Sequence, residues 1–189
     1  MPTSSSTREL ILDVAARLFA ERGYAATPTR AIADAVGIRQ ASLYYHFPSK
    51  ETILVELLRS TVRPSLDFCA DLAARGVPAP EALHALVSFD VGLLLRSRGN
   101  VGILYSLPDV GGEPFAPFME ERAQLREAYA SLARRALGDG VPEVTADLVL
   151  GLVEGIIALR RDVPELPPVE GLQQAVADAA LRMLRGSAA

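Results

Sequence analysis

The sequence predicts an all-α protein with a small N-terminal domain and a larger C-terminal helical domain. Apolar residues recur at helical spacing along most of the chain. Glycine or proline marks the ends of these stretches. Half of the 189 residues are hydrophobic, which is enough for one small domain and one larger core. We expect the first domain to cover residues 1–48 and the second to cover residues 49–189.

The first helix begins at a capping box formed by Ser6 and Glu9, and Gly23 ends it. Thr27 is a good N-cap residue for the second helix, with Pro28 at the first helical position. The second and third helices then pack on the first as a three-helix domain.

Residues 27–50 read TPTRAIADAVGIRQASLYYHFPSK, and their spacing indicates two short helices joined by a tight turn. Gly37 suits the turn because glycine adopts a positive φ at little cost. Leu43 and Phe47, one turn apart, form the inward stripe of the second of these helices. Ala41 and Tyr45 lie on the opposite side, so the exposed tyrosine needs an explanation other than burial.

A helix-turn-helix explains it, because the exposed face of its second helix enters the DNA major groove. Arginine can pair with guanine, glutamine with adenine, and an aromatic ring can lie against thymine methyl groups. The base-reading set would be Arg39, Gln40, Ser42 and Tyr45. Four other residues lie at the edges of this face and are better placed to contact phosphate than bases: Thr29, Tyr44, His46 and Lys50.

The segment GIRQASLYYHFPSKE, with TRAIA before it, resembles the DNA-binding signature of the TetR family of bacterial transcriptional regulators. The resemblance covers residues 8 to 55, and the rest of the chain resembles the family in length and helical character. It implies DNA contacts by Thr29, Tyr44, Tyr45, His46 and Lys50. Arg39 and Ala41 stand where the family often has serine and glycine, so no operator sequence can be carried over from relatives.

Charge is distributed unevenly between the two predicted domains. The whole chain has a formal net charge of -4. Residues 1–50 hold six Lys/Arg against four Asp/Glu, a net +2, which leaves -6 for the remainder. This asymmetry would turn the N-terminal domain toward phosphate.

Other classes of function lack their sequence signals. Cys69 is the only cysteine, which argues against a disulfide framework or a thiolate zinc site. We predict no cofactor and no metal. The apolar stretches are broken well short of a membrane span, and no apolar signal core is present, so we expect a cytoplasmic protein without membrane contact.

A fourth helix starts near Ser49, and Pro64 follows its apolar stripe. A proline inside a helix removes one hydrogen bond and clashes with the preceding turn. Pro64 therefore either kinks a helix that connects the two domains or marks an ordinary helix boundary.

Asp90 lies on the apolar stripe of a later helix, where an acid is out of place. It is either a buried acid paired with an arginine, which we favour, or a residue that faces a cavity and binds a ligand. An aromatic cluster at helical spacing is core more often than pocket. If these residues instead line a largely apolar effector pocket, its predicted ligand-binding residues are Asp90, Tyr105, Phe118 and Arg122.

The last two helices, about residues 144–161 and 169–185, are apolar over much of their surface. Gly151 and Gly155, one turn apart, would let another helix approach closely. The resemblance implies a four-helix interface with a second copy of the chain, and burial within one chain is the alternative. The predicted interface residues are Leu148, Gly151, Leu152, Gly155, Ile156, Leu159, Val176, Ala180 and Met183.

The resemblance thus implies a homodimeric repressor that binds a palindromic operator in double-stranded DNA and is released by a small effector. Thermodynamic linkage requires that, if the effector lowers the affinity of the protein for DNA, DNA lowers its affinity for the effector by the same factor. We find no nucleophile elbow, metal cluster or phosphate loop of an enzyme. A helical adaptor that retains the fold without ligand response is the alternative, although it has no need of the intact Tyr44, Tyr45, His46 and Lys50.

Overall fold

The computed structural model describes residues 6–106, 110, 112–138, 142 and 144–186. Within these residues the fold is all helical, and the helices number nine. Their bounds are α1 Thr7–Arg22, α2 Thr29–Val36, α3 Gln40–His46, α4 Lys50–Arg59, α5 Arg63–Ala74, α6 Ala79–Arg96, α7 Ala116–Leu137, α8 Val144–Asp162 and α9 Val169–Gly186. Two 3-10 segments, Arg98–Ser106 and Glu113–Phe115, lie between α6 and α7. None of the described helices combines the length and the hydropathy that crossing a membrane requires.

The predicted capping box is confirmed at the start of α1. The Glu9 amide donates to Ser6 Oγ (3.2 Å), and the Ser6 amide donates to Glu9 Oε2 (2.9 Å). Two of the four amides that a helix start leaves without a partner are thereby satisfied. Gly23, with φ of 83°, follows the last residue of α1.

The prediction that Thr27 is the N-cap residue of α2 was wrong. The residue before the helix is Pro28, which makes no side-chain cap, and the helix begins at Thr29. Thr27 is fully buried, and its hydroxyl donates to the Gly23 carbonyl (2.8 Å) at the end of α1. The hydroxyl satisfies a carbonyl of the preceding helix rather than an amide of the next one.

The helix-turn-helix itself forms as its spacing predicts. Gly37 adopts the left-handed conformation (φ 80°) at the end of α2, and its amide donates back to the Ala33 carbonyl. This turn brings α3 against α2, and α2 packs on α1. Four fully buried side chains form the centre of the domain: Ile11, Phe19, Ile32 and Leu43.

Pro64 marks a helix boundary and not a kink. Helix α4, capped by Ser49, ends at Arg59, and Pro64 occupies the first turn of α5. A proline costs little there because the first amides of a helix lack intrahelical partners in any case. Thr61 and Val62 form the buried corner between the two helices.

Helix α6 is the centre of the C-terminal domain, with α5, α7, α8 and α9 packed around it. The 3-10 segment after α6 lies between α1 and α8. Gly99 has a φ of 54°, and a Cβ at this position would lie 2.7 Å from the Ala16 carbonyl oxygen of α1. Asn100, next along the chain, donates from Nδ2 to the Ile157 carbonyl of α8 (2.9 Å). This segment therefore joins the N-terminal domain to α8.

Candidate nucleic-acid interface and effector cavity

Helix α3 buries one edge and presents the other to solvent. Leu43 and Phe47 are buried against α1 and α2, whereas Tyr45 is 87% exposed and Ala41 is exposed. A large aromatic ring held in water contributes little to folding of the chain. In a helix-turn-helix, the outer face of the second helix enters the major groove, and Tyr45 lies on this face.

Hydrogen bonds connect the outer face of α3 to the start of α2. Thr29 Oγ1 and Tyr44 Oη lie 3.0 Å apart, and Gln40 Nε2 donates to Thr29 Oγ1 (3.1 Å). Neither Pro28 nor Arg39, the residues before the two helices, makes a side-chain cap. The first-turn amides of both helices are therefore not satisfied by a capping side chain.

Lys50 is held beside the corner between α1 and α2. Its Nζ donates to the Tyr24 carbonyl (2.9 Å) and lies 4.2 Å from the centre of the Tyr24 ring. Tyr24 itself packs edge-on against Phe19. An ammonium group has three N–H donors, so this hydrogen bond leaves two for a phosphate.

The remaining predicted contacts lie at or beside α3. Arg39 and Ser42 are exposed, and no described residue forms an ion pair with Arg39. His46 is half-buried, with its ring edge-on to that of Tyr45 (centroids 5.4 Å apart). Of the eight predicted DNA-contact residues, six thus lie on α3 or directly before it, Thr29 is joined to α3 by hydrogen bonds, and Lys50 begins α4.

A small cavity lies between α6, α7, α8 and the corner between α4 and α5. Its volume is about 20 Å³, and Asp90, Tyr105 and Arg122 are in its wall, together with Thr61 and Glu154. Such a volume holds about one water molecule. The cavity is smaller and more polar than the apolar pocket that we expected from the sequence.

The pairing of the charged residues differs from the expectation. Asp90 is buried, but it accepts a hydrogen bond from the Tyr129 hydroxyl (2.6 Å) rather than pairing with an arginine. Arg122 instead donates to Glu154 of α8 (2.6 Å). Phe118 is buried behind the Tyr105 ring and is not in the cavity wall. One turn before Arg122, it packs in the core and does not contribute to the predicted pocket.

Burial perturbs the ionisable groups around this cavity. Loss of solvation raises the pKa of Asp90 to about 6, although the nearby hydroxyls of Ser65 and Tyr129 partly offset the effect. The pKa of Tyr105 is raised for the same reason, and that of Tyr129 lies well above its ordinary value. Both tyrosines therefore stay protonated, and the Tyr129 hydroxyl donates to Asp90.

Comparisons with known proteins agree with this geometry. Residues 11–57, which span α1 to most of α4, match the model of bacterial regulatory proteins of the tetR family. The chain is 36% identical over 138 residues to the HTH-type transcriptional repressor KstR2 of Rhodococcus jostii. The aligned region covers 72% of this chain and 68% of that relative. This chain belongs to the TetR family.

Two solved structures have the same architecture as this chain. The crystal structure of Mycobacterium smegmatis AmtR superposes with a TM-score of 0.88 at 44% identity, covering 96% of this chain and 87% of that one. The KstR2 structure from Mycobacterium tuberculosis gives a TM-score of 0.73 at 26% identity over 97% and 95% of the two chains. The protein is therefore a DNA-binding transcriptional regulator.

The outer face of α8 is apolar and open in this TetR-family chain. Leu148 is 53% exposed, and a Cβ on Gly151 or Gly155 would meet no other atom within 4 Å. Leu152 and Leu159 are partly exposed on the same helix. Ile156 and Ala180, by contrast, lie in the core of the chain, because their sides of α8 and α9 face inward, and Val176 and Met183 are half-buried. The face available to a partner is thus narrower than the sequence predicted.

Sequence reasoning missed several residues around the cavity. Glu121 binds Arg59 (2.9 Å from Nε) and Arg63 (2.8 Å), so that α7 holds both sides of the α4–α5 corner. No pattern in the sequence connects residues so far apart. Tyr129 could have been found, since a buried acid requires a donor and this tyrosine lies on the inward stripe of a neighbouring helix.

Proposed function

We propose that the protein is a homodimeric transcriptional repressor that binds a palindromic operator and is released by a small effector. The observation that carries the DNA part is the exposed face of α3, with Tyr45 87% exposed, in a chain of the TetR family. Residues 1–48 would form the DNA-binding domain and residues 49–189 the regulatory and dimerisation domain. Such a repressor acts on chromosomal DNA in the bacterial cytoplasm.

We assign base reading to the exposed side chains of α3 and its start: Arg39, Gln40, Ser42 and Tyr45. The bond from Gln40 to Thr29 would exchange for a bond to a base edge when DNA is bound. Thr29, Tyr44, His46 and Lys50 would position the helix through phosphate contacts. The start of α2, which has no side-chain cap, supports this, since the helix dipole attracts phosphate.

The exposed face of α8 supports a dimer. Val144, Leu148, Leu152 and Leu159 leave much of their apolar surface in water, and the two glycines between them would let a second helix approach closely. Two copies related by a two-fold axis present two recognition helices, and a palindromic site matches that symmetry.

The position of the cavity supports a link between effector and DNA. Its wall includes Thr61 and Val62 at the end of α4, and α4 leads directly from the recognition helix. An effector that enlarges this cavity would displace the corner and with it the spacing of the two recognition helices. Release of DNA then follows if the displaced arrangement binds the effector better.

Selection from a random pool of DNA duplexes tests the proposal. The purified protein should enrich a palindrome whose half-sites lie about one helical turn apart, or a multiple of that spacing. The variant Tyr45→Ala, whose side chain is almost wholly in water, is the matched control and should enrich none. Failure of the unaltered protein to enrich any sequence at low salt would contradict the assignment of α3 and favour the adaptor function.

A further inference from the structure

Three buried polar atoms around the C-terminal cavity lack a hydrogen-bond partner. They are Asp90 Oδ1, Arg122 Nε and Ser65 Oγ, and within the described residues no other buried side-chain nitrogen or oxygen shares this property. Asp90 and Arg122 are both in the cavity wall, whereas Ser65 is not, and the Ser65 hydroxyl lies close enough to the Asp90 carboxyl to lower its pKa. Each such atom costs about 1–3 kcal/mol in a folded protein unless a ligand or water binds it. The two atoms in the cavity wall, Asp90 Oδ1 and Arg122 Nε, therefore mark a polar site for a water molecule or a ligand group.

The two cavity residues restrict the chemistry of the ligand. Asp90 Oδ1 is an acceptor and needs a donor, whereas Arg122 Nε is a donor and needs an acceptor. A carboxylate ligand would satisfy Arg122 but meet the negative charge of Asp90, and Glu154 is already paired with Arg122. An ammonium ligand would satisfy Asp90 but meet the guanidinium. A neutral group with a donor and an acceptor side by side satisfies both, and a primary carboxamide is the simplest such group.

An apolar groove next to this cavity provides room for the rest of the ligand. The groove has a volume of about 220 Å³ and lies between α5 and α7, with Cys69, Leu72 and Leu132 in its wall. On α7, Leu125 lines the cavity and Leu132 lines the groove, so Tyr129 lies between the two. Burial raises the pKa of the Cys69 thiol, and the Asp90 carboxylate is close enough to add to this effect. A passage between the two spaces therefore requires the Tyr129 side chain to move.

We propose that the effector of this regulator is a neutral primary amide with a short apolar chain. The carboxamide lies between Asp90 and Arg122, and the chain passes Tyr129 into the groove between α5 and α7. Its regulatory consequence rests on the proposed function, because the enlarged cavity would act on the α4–α5 corner. Glu121, which holds Arg59 and Arg63 at that corner, is adjacent to Arg122 in sequence.

Calorimetric titration of the whole protein with three six-carbon probes tests the ligand chemistry. Hexanamide should bind at least about tenfold more tightly than hexanoate or hexylamine. Asp90→Asn should reduce that preference over hexanoate, since the charge that opposes a carboxylate is gone. Arg122→Lys keeps a positive charge for Glu154 but lacks Nε, so it should weaken hexanamide binding. Asp67→Asn, an exposed change on α5, should leave all three affinities unchanged.

The length of the probe tests the groove separately. Hexanamide should bind more tightly than acetamide, and Cys69→Phe, which fills the groove, should remove that difference while acetamide binding persists. Equal binding of the three six-carbon probes, or no binding of any, would overturn the proposal. Operator binding is measured on the same preparations, so loss of the amide result with intact DNA binding refutes the ligand assignment alone. Absence of operator binding would refute the proposed function.

Discussion

Tyr45 has a large aromatic side chain almost wholly in water, and among the described residues its one ring contact is with the edge of His46. Removal of an exposed side chain should cost the fold little, within about 0.5 kcal/mol. Contact with a base is worth about 1–3 kcal/mol of discrimination. Binding and folding can therefore be separated at this residue.

We predict that Tyr45→Ala lowers affinity for the selected operator about tenfold or more and leaves the thermal unfolding midpoint unchanged. Fluorescence anisotropy with labelled duplex measures the first quantity, and circular dichroism measures the second. Leu10→Ala, a change to a part-exposed side chain on α1, provides the control and should keep full affinity. Unchanged affinity of the Tyr45 variant would mean that α3 approaches DNA by another face.

Asp90 should make stability depend on pH. Its pKa is about 6 in the folded chain against an ordinary value of 3.8, because burial disfavours the carboxylate. The folded state therefore binds a proton that the unfolded state does not between these values. The contribution of Asp90 to stability is lost as pH rises through about 6, and a shift of about two units corresponds to about 3 kcal/mol.

Asp90→Asn removes this dependence, since an amide does not ionise in this range. Relative to the unaltered protein, the variant should be more stable at pH 8 than at pH 4 by about 2 kcal/mol, because Asp90 is already partly ionised at pH 4 in the unfolded chain. Urea unfolding of both proteins across this range measures the difference. A difference that is constant with pH would show that Asp90 does not change its charge as assigned.

The outward face of α3 could be predicted from sequence because it depends only on helical spacing around Leu43 and Phe47. The partner of Asp90 could not, since that choice depends on how α6 and α7 are rotated against each other. Thr27 was misassigned for a similar reason, because a nearby carbonyl of α1 competes for the hydroxyl that local rules give to α2. Local chemistry thus predicted the DNA face better than the interior of the C-terminal domain.

At the level of helices, Glu121 of α7 connects three elements. Its carboxylate binds Arg59 at the end of α4 and Arg63 at the start of α5, and only 15% of its side chain is exposed. Arg59 is only 24% exposed, so little water is available to solvate its guanidinium group if the charge of Glu121 is removed. Pro64 shapes the same corner by beginning α5 anew, so α4 and α5 depend on this carboxylate for their relative position.

We expect Glu121→Gln to lower the free energy of unfolding by about 1–3 kcal/mol, as for a lost hydrogen bond to a charged group. Chemical denaturation of the variant and the unaltered protein measures this difference in the free energy of unfolding. Glu127→Gln is a matched control on the same helix, since Glu127 pairs with Arg134 but is 64% exposed and its ion pair should contribute little. Equal effects of the two substitutions would mean that the Glu121 contacts add nothing beyond a surface ion pair.

For the whole molecule, the proposed dimer depends on a face of α8 that the single chain leaves open. A Cβ added to Gly155 would meet no other atom within 4 Å, so a larger side chain there is compatible with the fold of one chain. Replacement of a helical glycine even favours the helix by about 1 kcal/mol. An effect of such a change on assembly must therefore come from contact with a second copy.

We predict that Gly155→Arg yields a folded monomer, because two guanidinium groups would meet near the symmetry axis in an otherwise apolar interface. Light scattering measures the mass, and the same sample should bind one operator half-site more weakly than the dimer binds the palindrome, since only one recognition helix is engaged. Gly171→Arg is the matched control, because this α9 glycine is equally open and lies away from the predicted interface side chains Val176 and Met183. A Gly155→Arg protein that remains dimeric would place the interface on another surface of the C-terminal domain.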